Sequence, residues 1–146
     1  MAEYKNILVA TDLGEDTTSI LRQGIAIAGS GDVKLHLIHV IEPLSFAYGG
    51  DIPMDFSGIQ EEIHQQASQQ MLRVSEAYNI DAQRQYIVLG KPEVEIHVKA
   101  AELGADLIVV GSHGRHGLAL LMGSTANGVL HGATCDVLAV RVGQDT

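Results

Sequence analysis

The residues best suited to chemistry form the stretch Val109-Val110-Gly111-Ser112-His113-Gly114-Arg115-His116-Gly117, closed by Gly123-Ser124-Thr125-Ala126-Asn127. A hydrophobic run ending in glycines, then Gly-Ser-Thr where a helix can begin, is how a strand-to-helix crossover bares backbone amides to a phosphate. Glycine reaches positive φ and has no Cβ to hold a ligand away. A flexible loop would also be glycine-rich, but four glycines in thirteen residues, with Ser124 and Thr125 directly after the last, favour an anion site. Those hydroxyls can donate to phosphate while their amides lie at a helix N-terminus, although helix capping alone also selects such residues. Arg115 can swing over phosphates, but a single arginine is more often simply solvated.

A second set stands after the first apolar run. Asp12 can reach a ribose hydroxyl or a phosphate-bound divalent ion, its bland alternative being a turn or cap carboxylate. Ala10 and Thr11 join it mainly by adjacency. Val40 ends another strand, where its backbone can pair with a base edge, although an apolar strand residue is by default core. The histidines argue against a metal centre: His36 and His39 point to opposite faces of one strand, and the loop pair His113 and His116 has no companion ligands nearby. Cys135 has no paired base in the sequence and reads as a small packing residue.

These residues need a scaffold. Residues 5 to 13 (KNILVATDL) read as a buried strand. Asp16 or Thr17 can cap a helix carrying Ile20, Leu21, Ile25 and Ala28, which Gly29 and Gly31 end. Val33 to Ile41 is a second strand. Glu42 to Asp55, with two prolines and two adjacent glycines, reads as a long loop, of a length that is usually functional or mobile. Ile59, Ile63, Ala67, Met71, Val74 and Tyr78 then fall on one face of an amphipathic helix. Ala82 to Leu89 is a third strand, and Pro92 suits the first position of a helix bearing Val94, Ile96, Val98, Ala101 and Leu103. Asp106 to Val110 is a fourth strand, Gly123 to Leu130 a short helix stopped by Gly132, and Val137 to Val142 a fifth strand.

This alternation predicts an α/β domain: one doubly wound parallel sheet with helices on both faces, joined by right-handed crossovers. In such a sheet the ligand sits at the carboxyl ends of the strands where strand order reverses. Order 3-2-1-4-5 would bring the Thr11-Asp12 loop beside the glycine segment.

Composition narrows the function. A chain of 146 residues is one ordinary domain. A net charge of −9 with scattered Lys and Arg argues against an electrostatic grip on nucleic acid, and the scarcity of aromatics against base stacking. An anionic ligand must therefore be held by local backbone dipoles. A single cysteine excludes an internal disulfide and fits a cytoplasmic protein. No run resembles a signal peptide or approaches the roughly 18 apolar residues of a membrane span. The Walker lysine, an aspartate closing the third strand as in receivers, the Ser-Gly-Gly-x-Asp-Ser of ATP pyrophosphatases and the Gly-x-Ser-x-Gly elbow are all missing from the sequence.

Across almost its whole length the chain resembles single-domain bacterial universal stress proteins: KNILVATD, LIHVIEP, Gly90-Lys91-Pro92, ADLIVVGSHG, and Gly-Ser-Thr through CDVLAVRV. The resemblance implies order 3-2-1-4-5 in a Rossmann-like sheet, a homodimer through the terminal strand Val137 to Val142, cytoplasmic residence and a part in stress survival. ATP-binding members carry Gly-x2-Gly-x9-Gly-Ser/Thr; here eight residues separate Gly114 from Gly123. By position, the resemblance implies ATP, or AMP or ADP, bound by Ala10, Thr11, Asp12, Val40, Val110, Gly111, Gly114, Gly123, Ser124 and Thr125, with Mg or Mn on the phosphates near Asp12. The resulting expectation is a nucleotide-dependent dimeric switch, at most a slow ATP hydrolase. The alternative is an interaction module that binds no nucleotide and works through its dimer and partner surfaces.

Overall fold

Runs such as Ile7-Leu8-Val9 and Leu107-Ile108-Val109-Val110 are apolar at every position, so their strands can be stable only when covered on both faces. The computed structural model describes residues 4–13, 17–28, 33–43, 57–111 and 124–140. In chain order these form β1 (Asn6–Ala10), α1 (Thr17–Ala28), β2 (Lys34–Ile41), α2 (Ser57–Tyr78), a 3-10 turn at Ala82–Arg84, β3 (Gln85–Leu89), α3 (Pro92–Leu103), β4 (Leu107–Gly111), α4 (Ser124–Gly132) and β5 (Asp136–Val140). The sheet is parallel throughout, in the order β3-β2-β1-β4-β5.

Because side chains alternate across a strand, the sheet divides the core in two. Ile7, Val9, Leu37, Leu107 and Val109 pack with Ile20 and Leu21 of α1 and Ala67 and Met71 of α2. Leu8, Ala10, Ile38, Ile108 and Val110 face the other way, onto Ile96 and Ala100 of α3 and Val129 of α4. Register is pinned at the amino ends, where the Asp106 carboxylate accepts the backbone N–H groups of Lys5 (2.8 Å) and Asn6 (3.1 Å), tying β4 to β1. The Tyr4 hydroxyl donates to Asp136 at 2.7 Å, and this bond raises its pKa.

Several boundaries differ from the sequence reading. The first strand stops at Ala10 instead of continuing to Leu13, which turns over at φ 62°. Residues 82–84, expected to open the third strand, wind into a turn because the Arg84 N–H donates to the Asp81 carbonyl and its guanidinium pairs with the Asp81 carboxylate at 3.2 Å. Ile59 is 55% exposed instead of buried. A helix of 22 residues is about 33 Å long against about 17 Å for a five-residue strand, so its first turn overhangs the sheet.

Of the apolar residues expected on α3, Ile96 is buried, with Ala100 beside it, whereas Val94 and Val98 are exposed. The helix carries apolar residues on two sides, and its contact with α4 decides between them. A Cβ on Gly128 would stand 2.7 Å from the Glu93 Cβ, and one on Gly132 would stand 3.0 Å from the His97 ring. At Gly128 only glycine permits that approach, and with Glu93 and His97 facing α4, Val94 and Val98 are turned outward. Cys135 packs at the edge of the second core cluster. Burial, then the Asp136 and Asp106 carboxylates, push its thiol pKa up, so it remains a thiol.

His36 and His39 do face opposite sides of β2. The His36 ring stacks on Tyr86 of β3 with centroids 5.9 Å apart, and Lys99 of α3 stands over Tyr86 at 4.4 Å. The one hydroxyl hydrogen of Tyr86 goes to the Gln83 carbonyl (3.1 Å), so its oxygen accepts from His36 Nδ1 at 3.2 Å. Burial lowers the His36 pKa, and the Arg84 and Lys34 cations lower it further. A base that is harder to protonate when folded costs stability as acid forces the proton on. Unfolding free energy should therefore fall as pH drops below about 6.5, the ordinary imidazole value. His36→Phe, which keeps a ring against Tyr86, should flatten that part of the curve in urea titrations run at a series of pH values.

Candidate functional site

Strands β1, β2 and β3 step outward in one direction, and β4 and β5 return to the other side of β1. Strand order thus reverses between β1 and β4, the position at whose carboxyl edge an open α/β sheet takes its ligand. The end of β1 brings Ala10, Thr11 and Asp12 to this edge, β2 brings Val40, and β4 brings Val110 and Gly111. These six expected site residues therefore share one edge of the sheet. Ala10 and Val110 are buried and Val40 is half-buried, all with side chains packed in the second core cluster, so at this edge they present mainly backbone. Gly111 is half-buried and pairs with Val140 at the end of β4. Ser124 and Thr125 open α4. Gly114, Arg115 and Gly123 lie outside the described residues, as do residues 44 to 55 of the expected loop Glu42 to Asp55, the proposed cap Asp16, and Arg141 and Val142 of the expected fifth strand.

Thr11 organises the turn after β1. Its N–H donates to the Ile38 carbonyl at 3.0 Å, one rung beyond the strand. Its Oγ1 accepts the Leu13 N–H at 2.9 Å and bonds the Thr17 hydroxyl at 2.7 Å. Its carbonyl accepts from His39 Nδ1 at 2.8 Å. With Thr11 and Thr17 both buried, these contacts join the end of β1 to the first residue of α1. Thr11 consequently shapes the edge from inside, and Asp12 beside it is exposed. The sequence pointed to His39 only as one of two histidines on opposite faces of β2, and not as a residue of the site. The available signal was a polar residue in the apolar half of a strand, next to Val40.

Among the described residues no three His, Cys, Asp or Glu side chains converge to hold a metal. A shallow groove between Gln60, Glu61 and His64 of α2 and Leu89 of β3 lies at the far end of the sheet, two strands from β1. No helix among the described residues is long and apolar enough to cross a membrane.

The model of the universal stress protein family matches residues 3–141. The chain belongs to that family. Two universal stress protein A homologues of Coxiella burnetii are similar over nearly their whole length. One is 40% identical, covering 97% of this chain and 98% of its own; the other is 38% identical, covering 94% and 96%. Among solved structures, the hypothetical protein MJ0577 superposes with a TM-score of 0.81 at 25% identity, covering 99% of this chain and all of its own. A universal stress protein in complex with cAMP has a TM-score of 0.60 at 22% identity and shares the fold, with 95% and 98% coverage. The Rossmann-like order expected for universal stress proteins is the order found.

The bonding around Thr11 gives a direct test. Thr11→Val keeps the shape but leaves the Leu13 N–H and the Thr17 hydroxyl without their partner. It should lower unfolding free energy in urea by about 1–3 kcal/mol, and Thr11→Ser should recover most of the loss.

Proposed function

We propose that this universal stress protein binds an adenine nucleotide, ATP in the first instance, at the carboxyl edge between β1 and β4, and acts in the cytoplasm as a ligand-dependent dimeric switch. The observation that carries this is the convergence of Ala10–Asp12, Val40 and Val110–Gly111 where strand order reverses, with the glycine-rich segment running from that edge to the start of α4. In this reading the base lies along the Val40 backbone and the sugar beside Asp12, Val110 and Gly111. The phosphates lie over Gly114, Gly123, Ser124 and Thr125 with Arg115 above them. A net charge of −9 makes backbone amides and the α4 N-terminus, not a basic patch, the natural grip on phosphate. The related protein solved with cAMP supports an adenine ligand for the fold.

A divalent ion fits as a companion of the nucleotide. Asp12 offers a hard oxygen ligand at the edge, and Mg or Mn would take its remaining ligands from phosphate and water. Calorimetry should detect ATP binding to the unmodified protein. Asp12→Asn should weaken that binding by about tenfold with magnesium present and far less in chelator. Gly114→Val should abolish binding while leaving the fold intact, because a branched side chain intrudes where backbone must approach phosphate. The eight-residue spacing between Gly114 and Gly123 favours one other reading, an interaction module without nucleotide. Absence of ATP binding by the unmodified protein would select it.

The dimer is assigned to β5. This short strand stands at one end of the sheet order and its Val137, Leu138 and Ala139 are only half-buried. An apolar edge strand is an aggregation hazard unless another strand covers it, and pairing with a second copy about a two-fold axis would do so. Ala139→Pro removes an amide and distorts the edge. Light scattering should show a dimer for the unmodified protein and a monomer or aggregate for the variant.

A further inference from the structure

The Thr11 carbonyl meets a side chain where a continuing ladder would offer it a backbone N–H. β1 and β2 run in register up to Ala10 and Ile38, and the next rung is the Thr11 N–H on the Ile38 carbonyl. Beyond it, the Thr11 carbonyl accepts from His39 Nδ1 at 2.8 Å. A carbonyl only accepts, so this nitrogen carries the ring hydrogen and the tautomer is fixed.

We propose that His39 is a positioning residue of the nucleotide site, an inference that rests on the nucleotide reading above: its Nδ1–H, standing in for a sheet rung, orients the Thr11–Asp12 peptide. The Thr11 carbonyl and the Asp12 N–H belong to one planar trans unit, so a carbonyl held toward His39 aims the amide of Asp12 the opposite way. On the other side of Asp12, the Leu13 N–H is fixed by Thr11 Oγ1, and Leu13 holds a left-handed conformation that a leucine does not adopt without support. Both neighbours of Asp12 are thus tied to the sheet while Asp12 itself is exposed. Without the imidazole the Thr11–Asp12 plane can rotate, and both the amide and the carboxylate of Asp12 lose their fixed direction. His39 does this from within the fold, half-buried and one residue before Val40.

The test compares His39→Leu, which removes the donor at similar bulk, with His39→Asn, whose amide nitrogen stands where Nδ1 stood. ATP affinity with magnesium is measured by calorimetry, and protection of the Leu13 amide by hydrogen exchange. His39→Leu should lose about tenfold in affinity and most of the Leu13 protection, and His39→Asn should stay within about threefold of the unmodified protein. Undiminished ATP binding by His39→Leu, or an equal loss in His39→Asn, overturns the proposal. If His39→Leu does not fold, His39→Gln, with its donor one bond further out, replaces it and should bind more weakly than His39→Asn; equal binding by the two overturns the proposal. Lack of ATP binding by the unmodified protein sinks the nucleotide reading, and this role of His39 with it; binding by the unmodified protein that His39→Leu leaves intact sinks only the role of His39.

Discussion

A parallel strand in the middle of a sheet has both faces in the core and both edges bonded, so it can bear polar function only where it ends. β1 meets that constraint fully: Ile7, Leu8 and Val9 are completely buried, with β2 on one side and β4 on the other. The chain must leave such a strand through a turn whose backbone groups are no longer satisfied by the ladder. The arrangement of Thr11, Leu13, Thr17 and His39 is the local solution, and it explains a threonine with no exposed surface to speak of beside an exposed aspartate. The site edge is therefore a product of how the central strand terminates. The two core clusters, the crossovers and the helices serve to keep that strand dry up to its last residue.

Much of this was legible in the sequence because the strongest signals are those of burial. Uninterrupted apolar runs named β1 and β4, helical spacing named α1 and α2, and Pro92 and Gly104 bracketed α3, with Gly104 in the left-handed conformation that closes it. Strand order is different in kind. Periodicity says which residues are buried, not which strand lies beside which, and the order came with the motifs shared with universal stress proteins. The convergence of Ala10, Asp12, Val40 and Gly111 followed from that order.

What was not legible depends on contacts between segments distant in sequence. α3 has apolar residues on two sides, and only the glycines of α4, some thirty residues later, decide that Ile96 faces inward and Val98 outward. Nothing local to residues 82–84 outweighs their strand-like alternation until Arg84 folds back on Asp81. His39 illustrates the same limit from the side of function. Alternation predicted correctly that it faces away from His36, but its partner is a carbonyl just past the end of another strand, 28 positions earlier, open to side-chain capture because β1 ends there.

The contact between α3 and α4 has a mechanical consequence. Where Gly128 lies against the Glu93 stem and Gly132 against the His97 ring, the α4 side of the contact has no side-chain layer, and close-packed interiors transmit displacement instead of absorbing it. A tilt of α4 about its Ser124 end would drive Gly128 into the Glu93 stem, and relief would come only by carrying α3 along. Such a coupling would join the carboxyl edge of the sheet, where α4 begins, to the outer surface on which α3 displays Val94 and Val98.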